Sequence, residues 1–443
     1  MSALIRLALA EREKNGNPIR TGVMGAGEFG RALVAQLAVA PGFFPAAVAD
    51  LEVSRALQAY TRAGFDAGDV VTAERADSAA DAVRAGKPVV VPDGTLLAEL
   101  PLEVVVDSTG DADAGAAVGA AFLRAGQHLV MVNVEADIVV GGALRRLADM
   151  SGAVYTLADG DQPSLICSLV DWATSLGLDV VAGGKGSSLY PPQHPTRLAR
   201  EQDPTTSVTS IAFLDGTKSQ IEMASAANVL GWGVDVRGLH HPSARLDEVA
   251  TLFGPRAFGG LLSRTPVIDF VNCRSEDGMH EIEPHLGHGV FVVVTCENGE
   301  ALSAMRSKGV PMSGDGSRAL LWRPFHLVGV ETPFSVAQAA LFGVATAAPR
   351  RDPTVEVFAL TKRDLPARAI LDGMGGSTVR GEAELAAVCA EQRLLPYGLA
   401  NRVRLRRPLA AGTAITYDDL ESWGDSPCWR LRAEADMLPS PSW

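Results

Sequence analysis

An α/β fold built on a doubly wound parallel sheet is what this sequence predicts, and two observations predict it. Through residues 1–159, short apolar runs alternate with Ala/Leu-rich amphipathic stretches. That is the pattern of strands joined by crossover helices, with both faces of the sheet covered. Between the first run, Ile19–Met24, and the helical pattern Arg31–Ala38 stands Gly25-Ala-Gly-Glu-Phe-Gly30.

Gly-x-Gly-x-x-Gly between a strand and a helix is a dinucleotide fingerprint, so the sheet is read as Rossmann type. Gly25 permits the tight turn and Gly27 lets the backbone approach a pyrophosphate. Gly30 lets the helix pack close to the strand, with its N-terminus facing the anion. Glu28 and Phe29 complete the fingerprint and join the cofactor-binding set. The second strand, Pro45–Asp50, ends in an acid. Asp50 lies about twenty residues beyond the last glycine, where a carboxylate accepts bonds from the adenosine ribose hydroxyls. It would repel a 2′-phosphate, which favours NAD over NADP; Arg55 nearby leaves use of both open. The alternative is a glycine turn without a ligand and an Asp50 that caps a helix.

The remaining elements of this domain follow in order. Val53–Ala63 and Ser78–Ala85 read as helices, and Pro88–Pro92 as a short strand. Val104–Asp107 is a buried strand followed by Ser108, Thr109 and Gly110. Ala114–Ala125 is a helix, His128–Val132 a strand leading to the loop Asn133–Glu135, Ala143–Met150 a helix and Val154–Leu157 a strand. Ligands in such sheets bind at the carboxyl ends of the strands. The loops at Gly25, Asp50, Ser108–Gly110 and Asn133 are therefore expected to line one cofactor cleft.

Residues 160–350 change character and read as an α+β substrate domain, expected also to carry oligomer contacts. Leu165–Leu176 is helical, and Asp179–Gly183 is a strand entering a Gly-Gly-Lys-Gly loop. Val208–Leu214 and Ser219–Met223 read as strands flanking an Asp215-Gly216 hairpin turn. Val290–Thr295 and Leu327–Val330 add strands. Residues 351–443 read as a small β-rich unit: Val355–Leu360 is a strand, Pro366, Pro408 and Gly412 mark turns, and a Pro/Ser-rich tail follows Glu421. The segments Lys362–Leu371 and Arg402–Leu420 share one pattern of a basic turn, a small residue and an apolar pair.

Length and composition set the outer limits. At 443 residues the chain is expected to form two or three domains. Its net charge of −13, with no Lys/Arg tract, argues against a nucleic-acid partner. The five cysteines lack any paired spacing, which points to reduced thiols in the cytoplasm. Ser2–Asn15 reads as a leading helix ended by Gly16, not a signal peptide, and no apolar run is long enough to span a bilayer.

A dehydrogenase needs a group that gives or takes a proton as hydride moves. Lys185, placed on the glycine loop, is the first candidate: a cation there polarises a carbonyl or acts as the acid. Its alternative is a surface turn lysine. Lys218 and Glu222 would share one strand face by the period of two and orient substrate, or simply form a surface ion pair. Glu135 and Asp161, acids in strand-end loops, could hold Mg²⁺ or Mn²⁺ through oxygen; Asp161 could instead cap the helix after Pro163. Ser187 and Ser188 follow Lys185 as substrate-binding candidates, with His240, which precedes His241 and Pro242 in a turn; the alternative for His240 is a structural turn histidine. Arg323 and His326 flank Pro324 and suit an anionic group such as phosphate, or else a domain or subunit contact. His280, His285 and His288 with Glu281 and Glu283 match no zinc spacing and read as a solvated loop.

Taken together, Gly25-Ala-Gly-Glu-Phe-Gly, Asp107-Ser-Thr-Gly, Met131-Val-Asn-Val-Glu-Ala-Asp, Gly160-Asp-Gln-Pro, Ala182-Gly-Gly-Lys-Gly, Asp215-Gly-Thr-Lys and Arg323-Pro-Phe-His-Leu resemble the homoserine-dehydrogenase-like family with a C-terminal SAF domain. The characterised branch this order of motifs looks most like is the 1-deoxy-D-xylulose 5-phosphate reductoisomerase-like enzymes of isoprenoid synthesis. The resemblance implies a homo-oligomeric oxidoreductase that uses NAD or NADP on a small polar, anionic or phosphorylated carbonyl or alcohol, with residues 351–443 SAF-like. It implies reductive isomerisation of a phosphorylated deoxysugar, for which a divalent metal would hold the ketone and neighbouring hydroxyl. A simple sugar-acid or amino-alcohol dehydrogenase, without isomerisation or metal, is the alternative within the class. A protein that senses NAD without turnover is the alternative from another class.

Overall fold

The computed structural model describes residues 2–189, 206–278 and 280–437. Packing of the chain divides it into two compact units, Met1–Ser164 with Leu327–Arg351, and Leu165–His326 with Asp352–Trp443.

The first unit is the parallel sheet. Its seven strands are β1 (Ile19–Met24), β2 (Phe43–Ala49), β3 (Val71–Thr72), β4 (Val89–Val91), β5 (Val104–Asp107), β6 (His128–Met131) and β7 (Tyr155–Leu157). They lie in the order β3-β4-β2-β1-β5-β6-β7, and every pairing is parallel. The order reverses at β1, where the chain crosses from one half of the sheet to the other. This is the point at which such sheets open a crevice at their carboxyl ends. The strands are continuous apolar runs because helices cover both faces: β4 and β5 are buried at every residue.

The sheet recruits a distant helix. Val336, Ala337 and Ala339 of the helix Pro333–Phe342 share one core with Ile19, Val23, Val104, Val106 and Val130. That burial explains why residues 327–351 belong to the first unit. The predicted strand Leu327–Val330 is a turn instead. Gly329 has φ 77°, and a Cβ there would sit 2.9 Å from Ala32 Cβ, so its apolar neighbours mark a close approach to the helix Glu28–Val39 rather than a β ladder.

The second unit holds a mixed four-stranded sheet in the order β11-β10-β8-β9, formed by β8 (Asp179–Ser187), β9 (Val267–Asn272), β10 (Val290–Thr295) and β11 (Ala319–Arg323). β8 runs parallel to β9 and antiparallel to β10. Val181, Val267, Phe291, Val293 and Leu320 close its core around Phe253. Residues 352–437 contribute two antiparallel pairs, β12 (Val355–Thr361) with β14 (Val379–Leu385) and β13 (Ile370–Asp372) with β15 (Asn401–Arg404). The tail contains a short helix, Pro427–Glu434, and its final residues, 438–443, lie outside the described ones.

Two predicted elements of this unit are corrected. The hairpin expected around Asp215-Gly216 is a helix pair, Val208–Leu214 and Thr217–Leu230. Gly216 adopts φ 83°, which the Asp-Gly pair supplies as readily between two helices as between two strands. The second helix is buried at almost every position from Thr217 to Asn228, so tertiary packing decides its conformation. One stripe of it clamps the C-terminal segment. Thr217 Oγ1 accepts from Gly381 N (3.0 Å), Gln220 Oε1 from Ala383 N (2.9 Å), and Asn228 Oδ1 from Thr354 N (2.8 Å) and Val355 N (3.0 Å). The Gly-Gly-Lys-Gly loop is likewise not a loop: β8 runs on through Ser187. A Cβ at Gly184 would lie 1.9 Å from Asp269 O, and one at Gly186 2.2 Å from Gly287 O. The glycines are there so that neighbouring backbone can come close.

Candidate functional site

In the first unit the fingerprint glycines have separate duties. Gly25 holds φ 92°, and a Cβ on it would lie 3.0 Å from Ser108 O. At Gly30 a Cβ would fall 1.9 Å from Gly25 O, so only glycine lets the helix Glu28–Val39 seat on the turn. At Gly27 a Cβ meets nothing within 4 Å. Gly27 is the N-cap of that helix, and no side chain caps it. An open, uncapped helix N-terminus behind a tight glycine turn is the geometry that receives phosphate.

Asp50 follows directly on β2. Its Oδ2 accepts from Ala26 N (2.7 Å) and its Oδ1 from Glu52 N (2.8 Å). The acid thus braces the glycine turn through Oδ2 and its own following residues through Oδ1, and each oxygen has a second lone pair. Arg55 pairs with Glu52 at 2.8 Å.

The Ser108–Gly110 loop backs the same turn. Ser108 Oγ donates towards Met24 O (2.9 Å) and Gly25 O (3.0 Å). Thr109 donates from its N (3.0 Å) and Oγ1 (2.8 Å) to Asp107 Oδ1. Asn133 is the N-cap of the helix Val134–Ser151, and its Nδ2 donates to Asp107 Oδ2 (3.2 Å), Thr109 Oγ1 (3.1 Å) and Asp111 O (2.7 Å). Asn133 is therefore anchored at the strand ends. Glu135 is not in a loop: it sits in the first turn of that helix and is buried, because the helix begins nine residues earlier than Ala143. Asp161 Oδ1 accepts from Gln162 N at 2.9 Å, directly ahead of the helix Gln162–Ser175, the position of a capping residue. Among the described residues, the group of three acids or histidines whose ligand atoms lie within 4.8 Å of one another is Glu281, Glu283 and His285, mostly exposed; Glu135 and Asp161 are not in it.

In the second unit, Lys185 is not a surface lysine. It lies two residues from the end of β8 with its side chain 2% exposed, and its Nζ donates to Glu222 Oε2, whose side chain is also 2% exposed. Glu222 comes from the buried helix, so its partner is across the fold rather than along a strand; Lys218 precedes it by one helical turn and is half-buried. Burying two charges together is tolerable only when they are paired. The ammonium stands 5.7 Å from the centre of the Phe213 ring, which is itself 40% exposed. One step along β8, Ser187 Oγ lies 2.8 Å from Ser219 Oγ in a buried contact. Ser188 follows, half-buried.

His326 completes the cluster. Its Nδ1 lies 3.0 Å from His288 O, and the two rings meet edge to face at 6.4 Å. Burial lowers its pKa; Glu222 opposes the shift and Lys185 adds to it, which places the imidazole within electrostatic reach of the ion pair. Arg323 ends β11, its guanidinium over the Phe325 ring at 4.8 Å. His240 is occupied elsewhere: Nε2 lies 2.8 Å from Asp235 Oδ2, and its N donates to Asp269 (3.0 Å).

The structure thus gathers Lys185, Glu222, Ser187 and His326, and adds three groups that the sequence alone did not single out for this cluster: Phe213, Ser219 and His288. A signal for Ser219 existed. Thr217, Ser219, Gln220, Glu222, Ser225 and Asn228 are polar residues spread over both sides of one helix, a pattern that suits a buried scaffold more than an amphipathic surface helix.

Residues 160–332 match the sequence model described as oxidoreductase DRL, catalytic domain. The match spans Asp161, Lys185, Glu222, Arg323 and His326 but less than half of the chain. No curated protein matches in sequence. Among solved structures, a putative myo-inositol dehydrogenase from Sinorhizobium meliloti is 14% identical, covering 74% of this chain and 90% of its own, with a TM-score of 0.37. A 3-ketoreductase from Actinomadura kijaniata in complex with NADP is 16% identical, covering 74% and 91%, with a TM-score of 0.39. The 1-deoxy-D-xylulose 5-phosphate reductoisomerase from Zymomonas mobilis in complex with NADPH is 17% identical, covering 47% and 57%, with a TM-score of 0.34. Function rests on the residues of this chain.

Proposed function

We propose that the chain is an NAD(P)-dependent oxidoreductase that interconverts a CH–OH group and its carbonyl on a small polar, anionic substrate. The observation that carries the chemistry is the buried Lys185–Glu222 pair, inside the stretch that matches an oxidoreductase catalytic domain. The cofactor, once bound, supplies or accepts the hydride. Gly25, Gly27 and Gly30 form the cradle that fits its pyrophosphate. Lys185 Nζ donates a hydrogen bond to the carbonyl oxygen and gives it a proton as hydride arrives at carbon; the reverse reaction returns the proton to Nζ. Glu222 fixes the direction of Nζ. Arg323 and His326 bind the anionic group. We assign cofactor contacts also to Glu28, Phe29, Ser108, Thr109, Gly110 and Asn133, and substrate contacts to Ser187 and Ser188. The divisions 1–159, 160–350 and 351–443 are proposed as divisions of task, for cofactor, substrate and a SAF-like appendage.

NAD is the favoured cofactor because Asp50 stands where a 2′-phosphate would meet a carboxylate. Calorimetry with the full chain is expected to show NADH binding at least about tenfold more tightly than NADPH, with Asp50→Ser narrowing the gap. Tighter binding of NADPH would overturn the assignment.

Reductive isomerisation of a phosphorylated deoxysugar is the leading specific reaction. A homoserine-dehydrogenase-like reaction on a sugar acid or amino alcohol, without isomerisation, is the second reading. A screen of small aldehydes, ketones and hydroxy acids with their phosphate esters, read by NADH absorbance, separates them. Turnover abolished by EDTA and restored by Mg²⁺ or Mn²⁺ is the expected result for the isomerase, and full turnover in chelator sinks it.

A further inference from the structure

Asp107 closes β5 with its carboxylate wholly buried, and it does more than end a strand. On Oδ1 it accepts from Thr109 N (3.0 Å) and Oγ1 (2.8 Å), and on Oδ2 from Asn133 Nδ2 (3.2 Å). Ser108, next to it, sends its hydroxyl to the carbonyls of Met24 and Gly25 at 2.9 and 3.0 Å. A continuous chain of bonds therefore runs from the Asp107 carboxylate through the Ser108–Gly110 loop to the peptide of Gly25.

Among the described residues, the charged group that acts most on it is an acid. Glu135, on the helix Val134–Ser151, and Tyr155, on β7, act on it electrostatically. Asp137 accepts from Tyr155 Oη at 2.7 Å. Asp111 and Asp113 open the helix Ala112–Arg124, with the Asp111 carboxylate capping Ala114 N at 2.8 Å. That helix comes so close that a Cβ at Gly115 would lie 2.8 Å from Asp107 Oδ2. A buried carboxylate with a second acid acting on it is costly; an asparagine or threonine would end a strand without that cost.

We propose, resting on the reading of the glycine turn as an NAD(P) site, that ionised Asp107 is a positioning residue for the cofactor: it holds the Ser108–Gly110 loop against the Gly25 turn, and its protonation loosens that loop and weakens pyridine-nucleotide binding. The donors settle the direction. Three of them point at the carboxylate and bond it more strongly while it is charged, so a proton there weakens the bonds that hold the loop. Burial, the largest influence, pushes its pKa up to about 6; Thr109 and Asn133 oppose the rise and Glu135 adds to it. Affinity is therefore full above that pH and declines below it.

Calorimetric titration of the full chain with NADH, from about pH 5.5 to about pH 8, tests this. The expected Kd is flat on the alkaline side and rises towards about tenfold per pH unit on the acid side. Asp107→Asn is expected to bind weakly throughout, with no such profile. Thr109→Val removes one donor and keeps the backbone N–H, so it is expected to move the midpoint upward; this variant carries the test if Asp107→Asn fails to fold. A pH-independent Kd in the unaltered protein, or Asp107→Asn with unaltered affinity and profile, overturns the proposal alone. No binding of NADH or NADPH at any pH overturns the cofactor reading and this proposal with it.

Discussion

Gly27→Val is expected to remove NAD(P)H binding while leaving the fold untouched. Its backbone, at φ −65° and ψ −161°, is extended, with a negative φ that does not call for glycine. A Cβ there has nothing within 4 Å, so the first carbon of a side chain is accommodated. The branched side chain would instead fill the space at the uncapped N-terminus of the helix Glu28–Val39, where a pyrophosphate has to approach backbone N–H groups. Loss of those bonds corresponds to at least about a hundredfold in Kd, about 2.7 kcal/mol. Melting temperature without cofactor should match that of the unaltered protein. Gly30→Ala makes the contrast, because its Cβ would strike Gly25 O at 1.9 Å and lower stability as well as affinity. If Gly27→Val binds NADH as the unaltered chain does, the turn is not a phosphate cradle.

The part of the site on which that result depends was legible in the sequence because it is local. Ile19–Met24, Val104–Asp107 and Val290–Thr295 are found at their expected bounds: each is a run of residues buried within a sheet, and such runs need little context to be recognised. The catalytic cluster was less legible because it is non-local. Lys185 and Glu222 meet from a strand and a helix 37 residues apart. Glycine is scarce in strands, so Gly183, Gly184 and Gly186 suggested a loop, yet they permit the close backbone approach that buries Lys185 between β9 and β10. Val208–Leu214 is rich in residues that favour strands, and packing overrode that preference, as it does for short segments. Residues 327–351 rejoin the first unit through Val336, Ala337 and Ala339, a long-range contact that no local pattern announces.

Lys185→Met is expected to have the largest effect on turnover. Without the ammonium, nothing at that position protonates the oxygen, and kcat on the substrate found by screening should fall by about 10²–10⁴. Stability should fall too. Glu222, 2% exposed, would keep a buried carboxylate without its ammonium, a loss of about 3–5 kcal/mol. That second effect confounds the first, because a partly unfolded enzyme is also a slow one. The double variant Lys185→Met/Glu222→Gln separates them. It removes both charges, and a buried ion pair replaced by neutral residues of similar size is often neutral in stability. The melting temperature is therefore expected to recover while turnover does not. Lys185→Arg retains a cation that does not give up its proton at neutral pH, so it should stay folded and remain slow. Recovery of turnover in the double variant would mean that the pair only supports β8, and the proton would have to come from another group within reach of the reacting oxygen, with His326 the first to be substituted.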